Sequence, residues 1–468
     1  MTEQLWTSQE VLAAVSGRLE GEAFSAGGVS FDTRSLEPGD LFVALQGERD
    51  GHDFVAAAFA KGAVAALTTR PVEGGPAVIV ADTLKALEGL AARARDRNPT
   101  ARRGAVTGSV GKTSVTQAVL AGLQRAGPAH GSIKSFNNHI GVPLTLARMP
   151  REAQRAVFEL GMNHADEIRP LSRLVEPHAV CITNVGPVHT EAFAEGEAGV
   201  ARAKAEIFEG LTPGGAAVLN ADNPWFGFLK AEARKAGARV VSFGSDEAAD
   251  ARLLDYQPDA RGARVSARIH GHDYVFTLAQ AGFHWGLNGM AVLLMLEALD
   301  VPLETGFAAL SAFQALEGRG REREVRIEGG TFRLIDESYN ANPMSMKAAL
   351  ASLAVRKPAE EGRRIAVLTD MLELGPDSER HHAGLAEAIE AADVHRVYLA
   401  GPYMKALWDV LPEPRRAAWA QTAAELVPEA RQAVRAGDVV MVKGSNGSKA
   451  SLVAQALASL DLGAREEA

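Results

Sequence analysis

The sequence predicts an α/β protein of three domains, on three observations. The chain has 468 residues, enough for about three domains of ordinary size. Between 104 and 243, and again between 332 and 443, short apolar runs alternate with helix-like stretches, the pattern of mostly parallel sheets covered by helices. A glycine-containing turn, Val106-Thr107-Gly108-Ser109-Val110-Gly111-Lys112-Thr113-Ser114, joins the first strand-like run to a helix-like one.

Composition narrows the class. Hydrophobic residues make up 47 % and charged ones 23 %, as in an ordinary soluble globular protein. Net charge is −9 and no Lys/Arg run occurs, which argues against a nucleic-acid partner. Residues 1–10 are polar, and no apolar run approaches the roughly 20 residues that span a bilayer, so a cytoplasmic protein is expected. The one cysteine, Cys181, lies in the apolar run 179–183 and excludes an internal disulfide or a multi-cysteine metal site.

The first domain is placed at residues 1–82. Strands are expected at 29–31, 40–45, 63–68 and 77–80, with a turn at Glu37-Pro38-Gly39-Asp40 and a helix at 52–60. Asp32-Thr33-Arg34 follows the first of these strands, where a loop could present Arg34 to a phosphate; a plain surface turn explains it equally well. The second domain is placed at 83–317 and opens with a helix at 82–97. Its strands are expected at 104–107, 156–160, 179–183, 216–219 and 239–243. Its helices are expected at 113–126, 165–174, 200–210 and 226–236. Alternation at 263–278 suggests an antiparallel addition, and 285–299 reads as an apolar central helix. The third domain, 318–468, has strands expected at 332–336, 365–369, 397–400 and 439–443, each followed by helix-like sequence, which is a doubly wound unit.

The turn at 106–114 carries the strongest chemical signal. Gly108 and Gly111 let the backbone turn sharply and keep Cβ atoms away from an anion. Loop and helix N–H groups then face a phosphate together, Lys112 adds a mobile charge, and the Thr113 hydroxyl offers oxygen to Mg²⁺. The strict phosphate-loop pattern has Gly where this chain has Val106; a surface turn before an ordinary helix is the plain alternative, and ATP binding the better reading. Glu159 and His189 follow two later strands and would complete a Mg²⁺ site with Thr113, although each alone is more often structural. Asp336-Glu337-Ser338-Tyr339-Asn340-Ala341-Asn342-Pro343 offers polar groups and a ring to a base or ribose, or else caps the next helix. Lys443-Gly444-Ser445-Asn446-Gly447-Ser448-Lys449 reads as an anion loop or a polar turn. No Ser/His/Asp ordering or cysteine nucleophile stands out.

Together these stretches resemble the ATP-dependent Mur ligases. The resemblance also rests on Asn137-Asn138-His139-Ile140-Gly141, Glu159-Leu160-Gly161-Met162-Asn163, Ala203-Lys204-Ala205-Glu206-Ile207-Phe208, His284-Trp285-Gly286-Leu287-Asn288 and Asp370-Met371-Leu372-Glu373-Leu374-Gly375. It implies an N-terminal UDP-sugar-binding domain, a central P-loop ATPase and a Rossmann-like C-terminal domain. Tyr339 to Pro343 and Asp370 to Gly375 resemble the last-acting branch. That branch implies UDP-MurNAc-tripeptide and D-alanyl-D-alanine as substrates, a cytoplasmic monomer, and an acyl-phosphate route. By the resemblance, Gly108, Ser109, Gly111, Lys112, Thr113 and Ser114 hold ATP phosphates, with Asn288, Arg319, Asp336 and Tyr339 around the rest of the nucleotide. Thr113, Glu159, His189 and a carbamylated Lys204 serve Mg²⁺; Lys112, Lys204, His189 and Glu159 form the catalytic set. Ser30, Asp32, Thr33, Arg34, Asn137, Asn138, Asn340 and Asn342 face substrate.

The family often has Asn at the position of Val110, and Gly at those of Asp166 and Thr369. Two other readings stay open: an amide ligase with a different acceptor, or a nucleotide-driven switch that joins nothing. Against the first, Asp222-Asn223-Pro224 runs into Trp225 where other branches have Arg.

Overall fold

The computed structural model describes residues 4–133, 135–187, 190–259 and 262–463. Three α/β units follow one another, each built on its own sheet. The N-terminal sheet has five strands in the order Gly17–Glu20, Ala77–Val80, Ala65–Thr68, Asp40–Val43, Gly28–Ser30. All its pairings are parallel except the first. The same unit also has a small ribbon, Trp6–Thr7 with Ser25–Ala26, and the helix Ser8–Ala14, none of which was expected from the sequence. A local signal existed: Thr7 and Glu10 form a reciprocal capping box. The helix Thr83–Asp96 bridges the first two units, packing Ala86, Leu87, Leu90 and Ala94 into the N-terminal core and Ala91 into a central one.

The central sheet has nine strands. Their order is His272–Leu278, Gly262–Ile269, Ala251–Asp259, Arg239–Gly244, Ala216–Asn220, Ala179–Ile182, Arg102–Thr107, Arg155–Glu159, Ala129–Gly131. The two pairings at the His272 edge are antiparallel and the rest parallel, as the sequence pattern implied. The strands Ala179–Ile182 and Ala216–Asn220 are buried along their whole length, which is why they read as continuous apolar runs. The helix His284–Ala298 is central, with every residue from Met290 to Leu296 buried. It lies close to the helix Lys112–Ala126: a Cβ on Gly122 would stand 2.5 Å from Leu296 Cδ1.

The order of this sheet fixes where a ligand goes. From Arg102–Thr107 the chain builds outward on one side to Arg155–Glu159 and Ala129–Gly131, then crosses to Ala179–Ile182 on the other. The phosphate-loop strand therefore ends at a switch in strand order, where the connections diverge and leave a crevice.

The C-terminal sheet has six strands in the order Arg321–Ile327, Gly330–Glu337, Val439–Lys443, Arg364–Thr369, Arg396–Ala400, Arg416–Ala420. The first pair is an antiparallel hairpin and the others are parallel. At the ends of three adjacent inner strands Glu337 lies opposite Lys443 and Lys443 opposite Leu368, one residue before Thr369. Among the described residues no helix is long and apolar enough to cross a membrane. Cys181 is fully buried, and burial pushes its thiol pKa up.

Asp166 stands at φ +67°, the left-handed region that favours glycine. The substitution noted from sequence thus falls where a side chain is strained. Its N–H donates to Glu206 Oε1 at 2.7 Å, which helps to hold the turn.

Candidate active site

A cleft of about 650 Å³ lies between the central and C-terminal units. On one wall stands the turn after Arg102–Thr107. Gly108 has φ +150°, and a Cβ there would fall 2.0 Å from Thr183 Oγ1. Gly111, at φ +86°, starts the helix Lys112–Ala126, and a Cβ would press on Asn288 at 3.3 Å. No side chain caps this helix, and its first residues, Lys112, Thr113 and Ser114, line the cleft, so free N–H groups and the helix dipole meet there. Ser109 lines it as well, its hydroxyl donating to Gly186 O at 3.1 Å.

Lys112 is folded onto its own loop, with Nζ donating to Gly108 O at 2.7 Å. Desolvation lowers its pKa; Glu159 opposes that and Arg319 adds to it. Glu159 ends its strand almost fully buried. Asn137 Nδ2 donates to its Oε1 at 2.7 Å and its N–H donates to Ser132 Oγ at 3.0 Å, while Oε2 is buried with no partner. An orphaned carboxylate oxygen beside a phosphate-type loop fits a divalent cation, which the Thr113 hydroxyl, 2 % exposed with its residue, would help to hold. Among the described residues no group of three or more His, Cys, Asp or Glu side chains is arranged to hold a metal ion.

Lys204 is 2 % exposed on the helix Glu197–Ala205. Desolvation, and secondarily the charge of Lys112, holds its pKa well below the usual lysine range. Local sequence alone reads Lys204 as a helix-surface lysine; the structure turns it inward, between the buried Val200, Ala201 and Ala203 of the same helix. His189 lies outside the described residues.

The opposite wall comes from the C-terminal unit. Arg319 stacks its guanidinium on the Tyr339 ring, 4.2 Å from the centroid, and Nη2 donates to Ser135 Oγ of the central unit at 3.3 Å. Asn288, Arg319, Tyr339, Asn340 and Asn342 all line the cleft. Asp336 does not. Its Oδ2 accepts from Gly318 N–H at 3.1 Å and its Oδ1 from the Ser338 hydroxyl at 2.6 Å, so it shapes the loops that carry Arg319 and Tyr339. The strand runs one residue beyond the sequence reading, and alternation brings Glu337 to the cleft instead. Asn342 caps the helix Pro343–Ala354 reciprocally with Ser345, and Asn340 Oδ1 accepts from Ala341 N–H at 2.9 Å, so the turn-and-cap reading of this loop holds as well.

Some expected residues stand apart from the cleft. Asn138 Oδ1 accepts from Gly141 N–H at 2.9 Å and starts the helix Gly141–Ala147. Ser30, Asp32, Thr33 and Arg34 form a loop of the N-terminal unit. The Ser30 hydroxyl donates to Asp32 O at 3.2 Å, Thr33 O accepts from Lys61 Nζ, and Arg34 reaches Asp32 at 2.7 Å with its side chain 89 % exposed. The two places are linked: Phe31 packs on Phe136, one residue before Asn137, with ring centroids 6.4 Å apart.

The sequence motifs include Glu337, His284, Lys443 and Ser445, the last two as part of a possible anion loop, but give none of them a role of its own and pass over Thr183; all five line the cleft. Lys443 is a buried cation whose Nζ donates to Glu337 Oε2 at 3.2 Å and Asn340 O at 3.1 Å. Its place at the end of an apolar strand was the available signal. His284 Nδ1 is buried without a partner, and desolvation lowers the pKa of the ring.

Comparison with known proteins adds the following. The model described as Mur ligase family, catalytic domain matches residues 26–98. Mur ligase middle domain matches 106–296, and Mur ligase, glutamate ligase domain matches 320–446. The UDP-N-acetylmuramoyl-tripeptide–D-alanyl-D-alanine ligase of Rickettsia prowazekii is 32 % identical, covering 95 % of this chain and 98 % of its own. The ligase of the same name from Escherichia coli is 37 % identical, covering 86 % and 87 %. A crystal structure of MurF from Acinetobacter baumannii superposes with a TM-score of 0.85 at 29 % identity, covering 98 % of this chain and 99 % of that one.

Proposed function

The chain belongs to the Mur ligase family, and from that membership and the cleft's geometry we propose its reaction and the residues that carry it. It is an ATP-dependent ligase that joins D-alanyl-D-alanine to UDP-N-acetylmuramoyl-tripeptide in peptidoglycan precursor synthesis. A carboxylate is a poor acyl donor until its oxygen becomes a leaving group. The tripeptide's terminal carboxylate attacks the γ-phosphorus of ATP, the bond to ADP breaks, and an acyl phosphate forms. The dipeptide's free amine then attacks the acyl carbon, phosphate departs, and the amine gives up a proton.

One observation carries this reading: a single cleft holds a phosphate-type loop on one wall and the Glu337, Asn340 and Lys443 cluster on the other. On the first wall Gly108, Ser109, Gly111, Thr113 and Ser114 receive the phosphates, and Lys112 exchanges Gly108 O for phosphate oxygen. Glu159 and Thr113, with His189 and Lys204 in support, would hold Mg²⁺, which would neutralise phosphate charge. Asn137 fixes the Glu159 carboxylate, while Asn288 and the stacked Arg319–Tyr339 pair orient the nucleotide. A neutral Lys204 amine can add to carbon dioxide and lose a proton, which turns it into a carbamate; incorporation of ¹³C-labelled bicarbonate, read by NMR in wild type and Lys204→Met, tests this. On the N-terminal unit, Ser30, Asp32, Thr33 and Arg34 take the UDP part, and Phe31 on Phe136 couples that loop to Asn137. ATP and UDP-linked precursors are cytoplasmic metabolites, which supports a cytoplasmic enzyme. One chain carries both walls of the cleft, which supports a monomer. We place the unit boundaries near 82/83 and 317/318, between the sheets, with the helix Thr83–Asp96 shared by the first two cores.

The test is phosphate release from ATP and Mg²⁺ with the tripeptide substrate and D-alanyl-D-alanine added singly and together. Release only with both, with a pentapeptide product by mass, is expected. Release independent of the acceptor overturns the reading in favour of a switch ATPase, and turnover with another amine changes the acceptor.

A further inference from the structure

Two stretches singled out in the sequence have no role in the chemistry above: Asp370 to Gly375, and Ser445 at the end of Lys443-Gly444-Ser445. The structure joins them through one residue. Ser445 is 4 % exposed, and its N–H donates to Asp370 O at 3.1 Å. Its hydroxyl donates to Ala341 O at 3.2 Å and accepts from Leu372 N–H at 3.0 Å. Its carbonyl accepts from Ser448 N–H at 3.0 Å and from the Ser448 hydroxyl at 2.6 Å. Three separate segments, 340–342, 370–374 and 445–448, are thereby tied at one buried point, and all three contribute to the C-terminal wall of the cleft.

That wall has a definite chemistry. Met344, Ala348 and Leu372 present half-buried apolar surface to the cleft, and Lys443 lines the same cleft with two of its three N–H groups committed to Glu337 and Asn340. Methyl side chains fit the first set and a carboxylate fits the remaining donor. We infer that Ser445 is the positioning residue for the acceptor: it holds the three segments in the one arrangement in which apolar surface and Lys443 receive the dipeptide together. This rests on the reading that D-alanyl-D-alanine is the acceptor. The hydroxyl acts once as donor and once as acceptor, so alanine cannot replace it, and both Leu372 N–H and Ala341 C=O lose their partner. A wall loosened by about an ångström misplaces an amine that must meet the acyl carbon in line.

The test compares wild type, Ser445→Ala and Ser445→Thr in steady-state kinetics, with hydrogen exchange read on the peptide covering 370–375. Wild-type turnover with D-alanyl-D-alanine is the control on the underlying reading; its absence overturns that reading. With that control satisfied, Ser445→Ala raises the KM for the dipeptide about tenfold. The KM for ATP stays unchanged, exchange at 370–375 speeds up, and Ser445→Thr restores both. An unchanged dipeptide KM overturns the inference. So does an equal rise in both KM values, which would mark Ser445 as a general stabiliser of the fold.

Discussion

At the scale of single residues, two desolvated lysines, Lys112 half-buried and Lys204 buried, behave differently, and each leads to a prediction. Lys112 lies on its own loop beside Glu159, so removing its side chain deletes a charge the phosphates need and little packing. Lys112→Ala is expected to lower kcat by about a thousandfold with an unchanged melting temperature, read by the coupled phosphate assay and calorimetry. Lys204 differs because its burial is a liability in the absence of a ligand. Its pKa is lowered on folding, so between its native value and the ordinary lysine value the unfolded chain binds the proton and the native chain does not; stability rises with pH across that window, and at neutral pH the buried amine costs stability. In bicarbonate-free buffer Lys204→Met therefore raises the melting temperature by several degrees while turnover is lost; a lower melting temperature would contradict the burial argument. Much of the site was legible at this scale, because Gly108, Gly111, Lys112 and Thr113 sit in a spacing that one chemistry explains. Glu337 was not legible, because a one-residue error in where a strand ends exchanges its two faces and selected Asp336.

At the scale of elements, the short connections decide which loops meet. Gly401, at φ +118°, leaves room for the Asp370 carboxylate, whose Oδ1 accepts from Met404 N–H at 2.9 Å; a Cβ there would fall 2.3 Å from Asp370 Cγ. Gly401→Ala is expected to cost roughly 2–4 kcal/mol in urea unfolding. Asn342 offers a milder case. As the cap of Pro343–Ala354 it contributes about 1 kcal/mol, so Asn342→Ala loses that amount and Asn342→Ser recovers it. Recovery of stability without recovery of turnover would separate its cap role from its place in the cleft. Long buried parallel strands and the apolar helix His284–Ala298 were readable from pattern. The three-residue strand Ala129–Gly131, the helix Gly141–Ala147 with Pro143 near its start, and the strand Ala251–Asp259 with exposed polar residues and Pro258 were not. Their pairing comes from neighbours in space, and their own sequences carry weak or contrary signals.

At the scale of the whole molecule, five histidines share one tendency. His130, His178, His284, His381 and His382 all have pKa values lowered mainly by desolvation, His178 to about 4. As pH falls below the ordinary histidine value, the unfolded chain takes up protons that the native chain refuses, and stability falls. Carboxylates act in two directions. Glu10 and Asp50 are held at about 2 and their stabilisation is lost only below about pH 4.5. Burial instead raises Asp40, Glu206 and Asp370, whose protonation favours the native chain as pH falls and offsets part of the histidine loss. Urea melts should therefore show stability dropping from pH 7 to pH 5, with the slope reduced in His178→Gln; a flat profile would contradict the burial of these rings. The three-unit architecture was legible from length and alternation, whereas the proximity of the second and third units had no sequence signal, because contacts such as Arg319 with Ser135 span 184 positions. The separateness of those units has a further consequence. The central and C-terminal cores share no residues, and the chain passes between the units in one stretch before Gly318. Exchange of the part beyond that joint would replace the amine-selecting wall and, with it, the Arg319–Tyr339 pair that orients the nucleotide, so a graft must keep both.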